Sequence, residues 1–323
     1  MTYTHPLSIL IHSDMYNNWV FNKNHPTQGR RFINAKNLLI EKVPDLEIER
    51  SDVAPIWELE RVHGIEYINN VMRKHQSGEW VGSNPILSQL ACMFVGGTIQ
   101  ALDHLLYGLK LTAVHFPGAK HHAQKDRSSG FCVFADFAIA ADIATKDYGK
   151  RVAIFDIDAH HGDGTEILTF KNENVLTYSI HEYGIFPGTG YQSFPDYNVF
   201  NYPVNSPLPG QEKGLDNSAL YNGTFEFINL ATEFNPDLIF IACGADGHES
   251  DPLSNLRYTK EGYSNVAKIL RNKFPSTPML IGGAGGYQPD THTPDIWSEF
   301  AMHIIKGAVH GKNCKCWAMK YGN

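Results

Sequence analysis

Residues 156–164 read D-I-D-A-H-H-G-D-G and follow the apolar run 152–155. Carboxylates and imidazoles are costly to desolvate unless each has a partner, so three aspartates and two histidines at the end of a buried run call for one. Side chains two residues apart on an extended backbone point to the same side, and Asp158 with His160 can therefore share one cation. Asp156 is in phase with both, and Asp163 follows the turn; carboxylates so placed can orient imidazoles from behind. A third ligand must come from elsewhere. Asp246, in C-G-A-D-G-H-E-S-D-P just past the apolar run 238–243, is the candidate. Two carboxylates, one imidazole and an open position make a catalytic site for Zn²⁺ or Fe²⁺. The alternative is that these acids cap helix N-termini.

Two further segments carry chemistry. In P-G-A-K-H-H-A-Q-K-D-R-S-S-G (117–130), His121 and His122 are adjacent in a glycine-flanked loop after another apolar run. A histidine pair beside a metal-activated water supplies a general base for the nucleophile and a general acid for the leaving group. In G-G-A-G-G-Y (282–287) the glycines permit close backbone approach and leave Tyr287 on a loop, where it can donate a hydrogen bond to a developing oxyanion or, alternatively, only pack.

The elements that must position these residues follow from periodicity. Apolar, β-rich runs at 8–12, 111–116, 152–157, 175–180, 238–243 and 279–281 are mostly continuous, as in strands covered on both faces. Helical patterns at 29–41, 88–107, 133–145, 218–234, 260–272 and 295–306 alternate with them, which predicts a mostly parallel sheet with helices on both faces. Irregular stretches are expected at 77–85, 117–130, 182–214, 244–257 and 283–293. All but the first follow a predicted strand, at the carboxyl edge where open α/β sheets bind ligands. No repeat or linker-like shift breaks the chain, so one domain over 1–323 is expected.

The composition narrows the function classes. The chain has 323 residues, 42% hydrophobic, and a net charge of −7 from 34 acidic against 27 basic residues. No basic run suggests a nucleic-acid or membrane partner, and a cationic small substrate or Lys-rich segment suits this balance better. Five scattered cysteines are not a disulfide framework, and Cys314-Lys315-Cys316 is read as unliganded. The N-terminus has no secretory pattern, and polar residues interrupt the apolar helix pattern around 87–106, so a cytoplasmic protein without a membrane span is expected. Homo-oligomer and monomer are both left open.

With these residues in hand, the chain resembles the zinc-dependent histone deacetylase superfamily, which includes bacterial acetylpolyamine amidohydrolases and acetoin-utilisation-type proteins. The resemblance runs through H-P-T-Q-G-R-R (25–31), V-H-G-I-E-Y-I (62–68), H-H-A-Q-K-D-R-S-S-G-F-C (121–132), D-I-D-A-H-H-G-D-G, S-I-H-E-Y-G-I-F-P-G-T-G (179–190), G-A-D-G-H-E-S-D-P-L (244–253) and G-G-Y (285–287). It implies the arginase-deacetylase fold, α/β with about eight strands, and Zn²⁺ bound by Asp158, His160 and Asp246. It further implies that His121 pairs with Asp156 and His122 with Asp163, His122 being the general base and acid, and that Tyr287 polarises the scissile carbonyl. Phe131 and Phe186 would wall a narrow tunnel that Gly130 lines with its backbone, and Arg31 would adjoin an internal acetate-release cavity. Asp156, Asp158, His160, Ser179 and Ile180 match a structural monovalent-cation site for K⁺ or Na⁺. The implied activity is removal of an acetyl or longer acyl group from an amine, with acetyl-lysine in protein or peptide ahead of acetylated polyamine.

Departures from the family bear on substrate. Ala135 precedes Asp136 where relatives commonly carry Asn, and Glu79 is only a candidate for the aspartate that clamps substrate backbone. Leu253 stands where polyamine-selective eukaryotic relatives place a gatekeeper glutamate, which leans away from polyamines. A binuclear manganese ureohydrolase is disfavoured because Gly162 occupies the last position of D-A-H-x-D and too few second-metal ligands remain. A non-catalytic acyl-amide binder would have no need of intact acid, base and ligand residues. A serine hydrolase is disfavoured because no G-x-S-x-G occurs.

Overall fold

The six apolar runs that the sequence predicts as strands all enter a single parallel sheet. The computed structural model describes residues 7–205 and 215–308, and the Cys314-Lys315-Cys316 segment lies outside them. The strands are β1 (Ser8–His12), β2 (Glu47–Arg50), β3 (Thr112–His115), β4 (Val152–Asp156), β5 (Val175–Glu182), β6 (Val199–Val204), β7 (Leu238–Ala242) and β8 (Met279–Gly282). Their order is β2-β1-β3-β8-β7-β4-β5-β6, and every neighbouring pair is parallel. All residues of β1, β3, β4, β5, β7 and β8 are buried, which is why their sequences are continuous and not alternating.

The two strands without an apolar run are the edges. β2 reads E-I-E-R and is largely exposed, and β6 keeps only its terminal valines buried and contains Pro203, a residue confined to edges and bulges. The stretch 182–214, expected to be irregular, therefore contains β6.

The helices are α1 (Arg30–Lys42), α2 (Ile56–Leu59), α3 (Ile65–Met72), α4 (Pro85–Leu106), α5 (Asp136–Asp142), α6 (Asp163–Thr169), α7 (Leu215–Phe234), α8 (Lys260–Lys273) and α9 (His292–Lys306). One layer is formed by α1, α9, α8 and α7, the other by α3, α4, α5 and α6. The helix expected at 133–145 starts only at Asp136, because Val133 gives its carbonyl to the Tyr67 hydroxyl (2.7 Å) and Ala135 its N–H to His63 Nε2 (2.9 Å). α4 is capped by Asn84, whose side chain accepts the Leu87 N–H at 3.1 Å, with Pro85 at the first position. It is long and apolar enough to cross a membrane, yet 72% of its most apolar window is buried inside the protein, where it packs on β1 and β3.

β3, β8, β7 and β4 are consecutive neighbours at the sheet centre. Their carboxyl ends lead to His121 and His122, to Tyr287, to Asp246, and to Asp158 with His160. Four rigid strand ends thus deliver the polar segments that are far apart in sequence to one place.

Candidate active site

Asp158, His160 and Asp246 are buried, and one ligand atom from each lies within 4.8 Å of the others. His160 Nδ1 is 2.9 Å from Asp246 Oδ2 and 3.1 Å from Asp158 Oδ1. The other carboxylate oxygens are fixed by backbone: Gly285 N–H donates to Asp158 Oδ2 (2.6 Å) and Ala159 N–H to Asp246 Oδ1 (2.9 Å). A Cβ on Gly285 would lie 2.3 Å from Asp246 Oδ2 and 2.6 Å from Asp158 Oδ2, so only glycine lets that strand-end backbone support both acids. Burial and the neighbouring Asp158 push the Asp246 carboxyl up to about 7, whereas the Asp158 carboxyl is held low, burial being outweighed by His121 and His160. Two buried carboxylates and an imidazole with converging donors suit a divalent cation of the Zn²⁺ or Fe²⁺ type.

The histidine pair stands beside this triad with ring centroids 4.0 Å apart. His121 Nδ1 is 2.7 Å from Asp156 Oδ2, and His122 Nδ1 is 2.7 Å from Asp163 Oδ1. Their environments drive them apart. Burial opposes charge on His121, but Asp156, Asp158 and Asp246 outweigh it and raise the imidazole to about 9. Burial and then the charge of His121 lower His122 to about 4, against the pull of Asp163. The carboxylates thus favour the charged form of His121, and burial with that charge favours the neutral form of His122.

Tyr287 is partly buried, and its phenol is raised well above 10 by burial and then by Asp246 and Asp158, so it remains a hydrogen-bond donor. Its hydroxyl makes no hydrogen bond with another described residue. Its backbone N–H donates to Asp251 Oδ2 (2.8 Å), and Arg31 Nη1 donates to the carbonyl of the preceding Gly286 (2.6 Å). Sequence reasoning did not single out Asp251; the only signal was its place in the S-D-P turn after Asp246.

Aromatic residues frame the approach. Phe131 lies 5.9 Å from the Tyr287 ring, and Phe186, half-exposed, 5.0 Å from His122 and 6.3 Å from His160. Gly130 and Phe131 both adopt positive φ, +53° and +64°, and a Cβ on Gly130 would lie 2.4 Å from the His122 ring. Glu79 accepts the Phe131 N–H at 3.0 Å and so anchors this wall. Leu253 is at the surface, 37% exposed, with its N–H donated to Asp251.

The remaining sequence candidates fall beneath and beside the site. Asp156 and Ser179 are register partners on β4 and β5, and Ile180 follows, fully buried. Arg31 is buried under the Tyr287 loop. Asp136, next to Ala135, accepts from Thr98 Oγ1 (2.6 Å), Ala119 N–H (3.0 Å) and Lys120 N–H (2.7 Å), and so pins the loop that carries His121. His161 turns away from the triad toward Thr189 (2.8 Å) and Glu166 (2.9 Å). Among the described residues one group of metal-ligating side chains is found, and Gly162 offers no side-chain ligand at the last position of D-A-H-x-D.

Comparison with known proteins places the chain in a family. The histone deacetylase domain matches residues 25–304. The acetoin utilization protein AcuC of Bacillus subtilis (strain 168) is 32% identical over 318 residues, covering 92% of this chain and 82% of its own length. AcuC of Staphylococcus aureus (strain COL) is 30% identical over 318 residues, covering 91% and 81%. Among solved structures, the HDA15 HD domain superposes with a TM-score of 0.77 at 22% identity, over 93% of this chain and 90% of that one, which supports the fold. The chain belongs to the histone deacetylase family and is a deacetylase, a hydrolase of acyl-amide bonds.

Proposed function

We propose that this deacetylase removes an acetyl or longer acyl group from the side-chain amine of lysine in a protein or peptide. Asp158, His160 and Asp246 would hold Zn²⁺, or Fe²⁺ in its place, and the bound metal would acidify water and polarise the acyl carbonyl. The observation that carries the reading is the placement beside that triad of two adjacent histidines, each backed through Nδ1 by its own aspartate. His122, neutral and held through Nδ1 by Asp163, takes the proton of the attacking water on Nε2 and passes it to the departing amine. His121, cationic against Asp156, adds positive charge next to the developing oxyanion. Tyr287 gives that oxygen a hydrogen bond from its phenol. Asp156, with Asp158, His160, Ser179 and Ile180, would hold a structural K⁺ or Na⁺ that fixes the β4 end.

Lysine is preferred to a polyamine on the state of the rim. Leu253, at the surface beside the site, is apolar and offers no charge to a second ammonium. Parallel turnover assays on acetyl-lysine peptides, longer acyl-lysine peptides and acetylspermidine test this. The peptides should be turned over with the higher kcat/KM. Preferential turnover of acetylspermidine would refute the substrate assignment, and no turnover of any by metal-replete protein would refute the mechanism.

A further inference from the structure

Away from the triad, His115 ends β3 with a fully buried ring that is bonded at both nitrogens. Nε2 lies 3.0 Å from the Tyr16 hydroxyl, and Nδ1 lies 2.9 Å from Thr98 Oγ1 on α4. Thr98 Oγ1 in turn lies 2.6 Å from Asp136 Oδ2. Tyr16, Thr98 and Asp136 are buried as completely, so none of these groups can turn to bulk water instead. Gly97 gives the ring its place against α4: a Cβ there would lie 2.4 Å from His115 Nε2. At the far end, Asp136 accepts the N–H groups of Ala119 and Lys120, the two residues before His121. Ala119 needs that grip, because its φ of +64° is a left-handed conformation that alanine adopts at a cost and keeps only where its surroundings impose it.

Each hydrogen in this relay has one place. Two backbone donors, which cannot reverse, hold the Asp136 carboxyl as an acceptor, so the single hydroxyl proton of Thr98 points to Oδ2. The Thr98 oxygen is then left to accept, and His115 must donate to it from Nδ1. No carboxylate among the described residues pairs with the ring, and burial, with the charges of His12 and Lys120 adding to it, holds the imidazole neutral. Nε2 therefore carries no hydrogen and accepts the Tyr16 hydroxyl, the tautomer being set by the two partners. We propose that His115 is a positioning residue for deacetylation: fixed as its Nδ1–H tautomer, it carries a one-way run of hydrogen bonds from Tyr16 through Thr98 to Asp136, which holds the His121 loop in place. This role rests on the deacetylase reading, since that reading gives His121 its work.

Ring-¹⁵N-histidine labelling of the full chain, with the His115 signals assigned by their loss in His115→Asn, reads the tautomer without turnover. Nδ1 should carry the hydrogen and Nε2 should be bare, in the metal-free and the Zn²⁺-loaded protein alike. Thr98→Val keeps the shape of the side chain and removes the hydroxyl, whereas Thr98→Ser keeps the hydroxyl. In Thr98→Val, kcat per Zn²⁺-loaded molecule should fall about 10- to 100-fold at nearly unchanged KM, because His121 is displaced and the approach to the site is not. The Nδ1 proton resonance of His121, bonded to Asp156, should shift in the same variant. Thr98→Ser should return both readouts to near wild type, which a loss of stability alone would not require. An Nε2–H tautomer of His115 would overturn the proposal, and being read in wild type it decides even where Thr98→Val does not fold. Wild-type kcat in Thr98→Val, or a Thr98→Ser enzyme as impaired as Thr98→Val, would overturn it too. Absence of turnover in wild type, with the Nδ1–H tautomer present and the His121 resonance moving in Thr98→Val, would sink the deacetylase reading and keep the relay.

Discussion

Replacing Tyr287 by phenylalanine removes one oxygen atom whose absence the fold should not register. The hydroxyl bonds no other described residue, while the ring contact with Phe131 and the backbone anchors to Asp251 and Arg31 survive the change. Stability should therefore stay within about 0.5 kcal/mol, as for substitutions that touch no structural feature. Turnover is different. A single preorganised donor to a developing oxyanion contributes about 10² to 10³ in kcat, or about 2.7–4 kcal/mol of barrier. Because the carbonyl gains charge only on the way to the transition state, kcat should fall by that factor while KM moves little. The assay is steady-state and single-turnover release of acetate from an acetyl-lysine peptide, with metal content and melting temperature matched between proteins. Burial holds the phenol far above its ordinary value, so wild type should show no activity loss from Tyr287 ionisation below about pH 10. A Tyr287→Phe enzyme within threefold of wild type would refute the oxyanion role.

Three further outcomes follow from the same geometry. Asp163→Asn removes the carboxylate that raises His122; since His122 must be neutral to accept a proton, the acid limb of the pH–rate profile should move to lower pH, while the plateau falls about 10- to 100-fold with the loss of a charge-assisted bond worth about 1.5–3 kcal/mol. A limb moving to higher pH would contradict this. Chelation should abolish turnover and one equivalent of Zn²⁺ restore it, with one metal per chain by elemental analysis; two manganese ions per active chain would sink the mononuclear reading. Arg271, 1% exposed, ties the end of α8 to α9 and β3 by donating to Ile304 O (3.0 Å), Thr277 O (2.9 Å) and Thr112 Oγ1 (3.0 Å), so Arg271→Met should lose about 3 kcal/mol or more in denaturant unfolding with activity per folded molecule unchanged.

What was legible in the sequence was whatever burial on both faces makes continuous. β1, β3, β4, β5, β7 and β8 were readable because both sides of each lie under helices, and β2 and β6 were not because sheet edges need no apolar run. The triad was legible because Asp158 and His160 lie two apart just past an apolar run, although β4 ends at Asp156 and both sit in the bend beyond it and not on extended backbone; the loops were legible as strand exits. The pairing of His121 with Asp156 rested on family resemblance, since nothing in spacing relates position 121 to position 156. Lys120 and Asp251 were passed over for a physical reason: a lone lysine or aspartate in a polar loop reads as solvated, and only the cage of Phe32 and Phe94 or the Tyr287 N–H reveals otherwise.

The site is also set by charge on two levels. At the strand ends, Asp158, Asp246 and Asp156 crowd negative charge that a divalent ion and the His121 cation would balance. Beneath them Arg31 and Lys120 concentrate positive charge around a cavity, with Tyr287 and His121 at the junction. An acetyl amide is neutral when it arrives, negative at its oxygen during attack, and a carboxylate when it leaves. Asp136 and Gly285 hold the loops after β3 and β8 where these two fields meet: Asp136 accepts the Ala119 and Lys120 N–H groups, and the Gly285 N–H donates to Asp158.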